Sequence, residues 1–290
     1  MGRRTRQRLW RGGLYAVLIG LVVLVAVSAD WANLQRQFFQ LDIARELFPD
    51  VIAIAAKNTV KFTAISFVGG FSIGLALALM RLSPIAPFRW MAIIYIEVFR
   101  GLPALLTIFA TSLVLPIALG VRIPAFAGMS TFAAAGVVGL IIVSAAYFAE
   151  VFRAGIQAVP KGQSEAARSL GMSPATTMTY VVLPQAIRTV IPPLTNEFVL
   201  LIKDTALIFL AVGGVSADRE LTAFGSARIQ EFGNATPLIV TALMYLAITI
   251  PLTQLVAWME RRDMRSSGAR EPNQFTTKLR LLAKRGTSNR

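Results

Sequence analysis

Long apolar blocks separated by short polar connections set the pattern of this chain. Gly12 to Ala29 carries no charge over eighteen residues, and Phe62 to Met80 and Ala235 to Met259 are likewise charge-free. Three more blocks, about Trp90 to Pro116, Ala127 to Phe152 and Thr189 to Gly214, are apolar but hold isolated ionisable side chains. At 1.5 Å of rise per residue, blocks of this length cross a hydrocarbon core of about 30 Å. The pattern predicts an all-α integral membrane protein of about six transmembrane helices, the second starting near Val51. Gly69, Gly70 and Gly74 give that helix the small side chains that let neighbours approach closely in lipid. Pro192-Pro193 is expected to interrupt the fifth span, and Gly213-Gly214 to end it.

One connection, residues 159–184, is longer and patterned differently. Lys161 to Leu170 reads as a short helix with Ala166, Ala167 and Leu170 on one face. Gly171 ends it, because glycine takes the left-handed conformation past a helix C-terminus at little steric cost. Ser173 then reads as an N-cap and Pro174 as the first residue of a second short helix, which Pro184 bends or ends. This helix–Gly–helix elbow is too short and polar to cross a bilayer, and is suited to lie on its surface and meet a partner.

Composition agrees with the membrane reading: 55% of residues are hydrophobic and the mean hydropathy is +0.62. With no Cys and no His, thiolate metal sites, disulfides and the commonest general base are excluded. No G-x-x-x-x-G-K-[ST] phosphate loop occurs, so no ATPase site is carried here. The net charge of +14 invites a nucleic-acid reading, but its distribution argues for topology instead. Five basic residues lie within the first eleven positions, two in the 81–89 turn, four around the elbow and nine after Glu260. The opposite connections hold five, Arg36, Arg45, Arg122, Arg219 and Arg228. Basic residues collect on the cytoplasmic side, which puts both termini and the elbow inside. Gly12 to Ala29 also has the make-up of a secretory signal; its length favours an uncleaved span, and Asp30 emerges outside either way.

Ionisable groups within spans are costly and are usually paired or functional. Glu97-Val98-Phe99-Arg100 recurs as Glu150-Val151-Phe152-Arg153, each an i,i+3 acid–base pair on one helical face. Antiparallel packing of the third and fourth spans would pair Glu97 with Arg153 and Arg100 with Glu150, as a structural clasp or as a cytoplasmic gate. A second group lies on the fifth span: Asn196, Glu197, Lys203, Asp204 and Thr205. Lys203 falls twelve residues past Ile191, about 18 Å along a helix and so near mid-membrane. An ammonium and a carboxylate at that depth suit the two charges of an amino acid, or alternatively satisfy protein groups at a subunit interface.

The elbow also carries a resemblance. Glu165-Ala166-Ala167, Gly171 four residues later and Leu183-Pro184 resemble the EAA–G–LP signature of the membrane subunits of bacterial ABC importers, with Val181 where Ile is frequent. The flanks, EVFRAGIQAVPKGQ and NEFVLLIKDTAL, are similar to those of polar amino acid permeases, as is EVFRGLPALL, where Leu102 replaces the Thr of RGTP. The resemblance runs from about Lys57 to Glu260. It implies an importer subunit of the bacterial inner (plasma) membrane, with Glu165, Ala166, Ala167 and Gly171 coupling to ATPases. The implied partners are two ATP-binding-cassette subunits that carry ATP and Mg, a second permease subunit, the same or homologous, and an extracytoplasmic solute-binding protein, with lipid around the spans. It implies no catalytic residue, metal or cofactor in this chain. The expected division is 1–50, a basic segment, first helix and external segment; 51–260, the transmembrane core; and 261–290, a basic cytoplasmic tail. An ion-coupled secondary transporter is the alternative, although its two halves would need matching hydropathy and nothing in it requires an elbow. A nucleic-acid-binding tail is the third reading, but lipid contact and orientation explain those basic residues more simply.

Overall fold

Each apolar block folds as helix, because in hydrocarbon every backbone N–H and C=O has to be paired within the segment. A computed structural model describes residues 3–212 and 218–268; Gly213-Gly214 and most of the basic tail lie outside them. In order the helices are α1 (Arg3–Ser28), α2 (Trp31–Phe38), α3 (Leu41–Glu46), α4 (Val51–Arg81), α5 (Ala86–Gly101), α6 (Ala104–Leu119) and α7 (Thr131–Ala158). There follow α8 (Lys161–Ser169), α9 (174–204), α10 (Ala206–Val212), α11 (Leu221–Phe232) and α12 (Thr236–Gly268).

Among the described residues, three helices are each long and apolar enough to cross a membrane alone: α4, α7 and the part of α12 from Thr236 to Met259. The third expected span is not one rod. α5 and α6 meet at 107°, because Leu102 is extended (φ −90°, ψ 141°) before Pro103, whose ring disfavours a helical residue ahead of it. α1 and the α2–α3 segment likewise meet at 74°. The fifth span differs in the opposite sense. Neither Pro184 nor Pro192-Pro193 breaks it; α9 runs through all three, with a π-helical turn at Met178–Val182. Surrounding helices hold it, since Pro192 and Leu194 are buried. The break comes instead at Thr205, before α10.

At the centre, α4 and α7 lie parallel. Their approach depends on glycine: a Cβ on Gly74 would stand 2.9 Å from Ala145 O and 3.1 Å from Ala149 N, both backbone atoms unable to yield. Antiparallel to α7 run α6, with Gly139 against Ile108, and α9–α10, with Gly155 against Val190 and Gly136 against Ile208. Phe67 stacks edge-on with Phe148 and Phe198 at 5.2 and 5.3 Å, locking α4, α7 and α9 together. The chain therefore alternates between two ends, an elbow end and a far end.

The external segment expected after the first helix, Asp30 to Asp50, is packed at the far end. Leu47 and Val51 are fully buried with Leu221 and Phe224. Ala235 N–H donates to Gln37 O at 2.8 Å and Asn234 Nδ2 to Arg36 O at 2.7 Å. By contrast α1 presents exposed apolar side chains from Leu14 to Val27, the condition of a helix facing hydrocarbon.

Candidate coupling and translocation site

The elbow forms where the sequence provides its two signals. Gly171 is left-handed (φ +86°); its N–H donates to Arg168 O at 3.0 Å and that of Met172 to Ala167 O at 3.2 Å, the paired bonds of a Schellman helix end. Ser173 Oγ then accepts Thr176 N–H at 3.2 Å, with Pro174 in the first position of α9. α8 folds back on the start of α9. This sorts the candidate coupling residues: Glu165, Ala166 and Gly171 are exposed beside Leu170, at 84% exposure, whereas Ala167 is covered at 6%. Ala167 is therefore a packing residue of the elbow rather than part of its outer face. Beneath it, the Gly155–Val190 approach ties α7 to α9, so the elbow is braced to two spans.

At the same end, the doubled acid–base pairs come together differently from the expected cross-pairing. Glu150, its side chain 17% exposed, is the hub. It accepts from Arg153 Nη2 at 2.8 Å on its own helix, from Arg81 on α4, and lies 3.7 Å from Arg100 Nη1 on α5. The Arg100–Glu150 pair is thus present. Glu97 meets Arg81 at 3.7 Å instead of Arg153, whose Nη1 donates to Gln157 Oε1 at 2.5 Å. The bend after Gly101 holds the last turn of α5 against α4 and α7, and i,i+3 geometry already gives Arg153 its partner. Arg81, assigned from sequence to a basic turn, is the residue that was missed. Its signal is spacing: Gly70, Gly74, Leu77 and Arg81 recur at helical intervals on the buried face of α4.

On α9 the polar residues fall into two neighbouring rows, each with its two members about two turns apart. Asn196 and Lys203 are exposed, while Glu197 and Asp204 are half-buried. Thr205 separates from both rows: it is fully buried and its hydroxyl donates to Ile202 O at 2.7 Å, so it faces no cavity. From the pairings 155–190 and 136–208, Lys203 stands level with the middle of α7.

A polar centre that the sequence reading overlooked lies at the far end. Glu220, in the connection between the fifth and sixth apolar blocks, is 1% exposed. It caps α11, accepting from Thr222 N and Ala223 N at 2.7 Å each, and from Tyr245 Oη at 2.8 Å. Thr59 Oγ1 accepts the next orphan donor, Leu221 N–H, at 3.1 Å. The available signal was a Glu directly before a helical apolar run, in N-cap position.

These features define a helical membrane subunit with a protruding elbow and charged residues along its inner helices. No group of three potential metal ligands occurs among the described residues. Residues 70–264 match the family model described as the binding-protein-dependent transport system inner membrane component. The chain belongs to that family, the membrane-spanning permease subunits of ABC importers.

Its similarity to the probable glutamine ABC transporter permease protein GlnM of Bacillus subtilis is 38% identity over 205 residues, covering 71% of this chain and 89% of that protein. To the arginine transport system permease protein ArgU of Corynebacterium glutamicum it is 35% over 243 residues, covering 81% and 74%. The crystal structure of an amino acid ABC transporter with histidines superposes with a TM-score of 0.65 at 38% identity, over 75% of this chain and 95% of that one. The MetNI methionine transporter shares the fold, at a TM-score of 0.60 and 19% identity over 75% and 97%.

Proposed function

We propose that this chain forms the translocation pathway for a polar amino acid, receives it from a solute-binding protein, and is driven by two separate ATPase subunits seated on the elbow. A second permease subunit completes the pathway. ATP and Mg belong to the ATPases, and no residue here acts as a catalyst. The reading rests chiefly on one observation: an elbow with Glu165, Ala166, Leu170 and Gly171 exposed, in a chain 38% identical to an amino acid permease. The basic-residue bias supports a cytoplasmic elbow and cytoplasmic termini. In this scheme 51–260 is the transport core, 1–50 an added anchor and far-end brace, and 261–290 a cytoplasmic tail. Closure of the ATPases moves the elbows, and α7 and α9 move with them as braced bodies, opening the cavity to alternate sides.

Lys203 and Asn196 line the pathway, Glu197 and Asp204 set its charge from behind, and the Glu150 cluster is the clasp at the elbow end. Uptake by the reconstituted complex should require ATP, persist when the proton gradient is collapsed, and be competed by a limited set of polar amino acids. Lys203→Met should assemble normally and change that set, whereas Asp204→Asn should lower the yield of complex. Uptake that follows the proton gradient without ATP refutes the scheme; Lys203→Met that fails to assemble, with Asp204→Asn merely altering selectivity, reverses the two roles.

A further inference from the structure

The first span ends in a corner. α1 closes at Ser28, and Asp30 caps α2, its carboxylate accepting Asn33 N–H at 3.0 Å. The α2–α3 segment leaves at 74° to α1, so α2 runs almost across the direction of the span. Over eight residues α2 carries the chain about 12 Å sideways. Its far end is fastened to another span. Arg36 O accepts from Asn234 Nδ2 at 2.7 Å, Gln37 O from Ala235 N–H at 2.8 Å, and Gln40 N–H donates to Thr236 Oγ1 at 3.1 Å. Thr236 is where the membrane-crossing part of α12 begins. α2 therefore bridges the far-end limits of two apolar helices, and both limits mark the level at which hydrocarbon gives way to water.

The two sides of α2 differ. Trp31, Leu34 and Phe38, at helical spacing, form one apolar stripe, and Asn33 and Arg36 lie on the opposite side. Trp31 shows which way the stripe points. Its indole N–H donates to Ala26 O at 2.6 Å, so the ring folds back beside the last turn of α1, on the membrane side of the corner. Packing against α12 leaves the stripe largely open: Phe38 is half-buried, but Trp31 is 61% exposed and Leu34 39%. α1 beside it is lined with exposed apolar side chains from Leu14 to Val27. A short amphipathic helix that lies along the hydrocarbon boundary, with its apolar side and a Trp turned toward the acyl chains, has the make-up of an interfacial helix. We infer that α2 rests in the far-end interface of the lipid bilayer. Trp31, Leu34 and Phe38 contact the glycerol region and upper acyl chains, and Asn33 and Arg36 face water. The inference rests on the spans and the corner, and not on the elbow or on which solute is carried.

The chain has no cysteine, so single nitroxide labels can be placed without further changes. Leu34→Cys, Asn33→Cys and Arg36→Cys all fall on exposed positions and leave the core intact. Each labelled full chain is assembled with cysteine-free partner subunits in nanodiscs of phosphatidylglycerol mixed with phosphatidylcholine. Power saturation then compares collisions with oxygen, which concentrates in lipid, and with a water-soluble nickel chelate. The label at 34 should favour oxygen and those at 33 and 36 the nickel chelate, so that the logarithm of the collision ratio changes sign around the helix. Nickel preference at all three positions overturns the inference and puts α2 in water. So does a label at 34 that is shielded from both reagents, or one that loses nickel access only when a solute-binding protein is added, because a protein then covers the apolar stripe.

Discussion

Glu150 holds three guanidinium groups where α4, α5 and α7 meet, and its removal leaves them facing one another. Breaking a buried pair costs about 3–5 kcal/mol, because the partner charges stay desolvated without a counter-ion. The partial exposure of this cluster reduces that to about 2–3 kcal/mol. Glu150→Gln should lower the thermal stability of the purified protein accordingly. Glu97→Gln, at a side chain 66% exposed, should cost about 1 kcal/mol or less. Double-mutant cycles should show coupling of Glu150 with Arg81 and with Arg100, and simple additivity for Glu97 with Arg153. A coupling of comparable size between Glu97 and Arg153 would contradict the arrangement described. Local periodicity paired each Glu with an Arg on its own helix. Antiparallel packing also anticipated Arg100 beside Glu150, but not Arg81, which lies 69 residues away in sequence and joins them on the same carboxylate only in the folded chain.

At the scale of the element, the elbow is the clearest case of local signals determining local form. Gly171 and Ser173 produce the helix end and the helix start by short-range geometry alone, and both are made as the residues suggest. Which alanine faces outward was not decided there. α8 folds against the first turns of α9, so Ala167 turns in and Ala166 stays out. The two positions should therefore respond oppositely to the same change. Ala167→Trp overpacks the elbow itself, at about 1–3 kcal/mol, and should lower the melting temperature of the isolated permease. Ala166→Trp should leave melting unchanged and, if the ATPases seat on this face, prevent their co-purification. The reverse pattern would mean that Ala167 is the contact residue. α9 makes a related point. Three prolines in its sequence argue for breaks, yet tertiary packing carries the helix past each of them.

Over the whole molecule, the far end is organised around Glu220, which joins the cap of α11 to α12 through Tyr245, while Thr59 of α4 takes the adjacent N–H. Burial pushes the Glu220 carboxyl above its ordinary value near 4.5, against the opposing pull of the Thr222 and Ala223 N–H groups. The folded protein thus binds this proton more tightly than the unfolded chain. Its contribution to stability is fully present below the ordinary value and is lost as pH rises through the raised one. Melting followed as pH is raised from the ordinary carboxylate value should show stability falling, and Glu220→Gln should flatten the dependence. A Gln variant with an undiminished slope would assign the effect to another group.

The amino-acid sequence by itself determined that this is a helical membrane protein, where most of its apolar helices lie, and that an elbow interrupts them. Those properties follow from hydrophobic run length, helix rise and the conformational preferences of single Gly, Ser and Pro residues, all of which act within a few positions. The elbow signature and its flanks also pointed to the family to which the chain belongs. Tertiary structure alone decided the bend at Leu102-Pro103, the continuity of α9, the arrival of Arg81 on Glu150, the packing of 31–51 at the far end, and the burial of Glu220 and Thr205. The physical reason is common to all of them. Whether a proline ends a helix, whether a charge is paired and whether a loop is exposed depend on what packs alongside, and the residues that pack alongside come from distant parts of the chain.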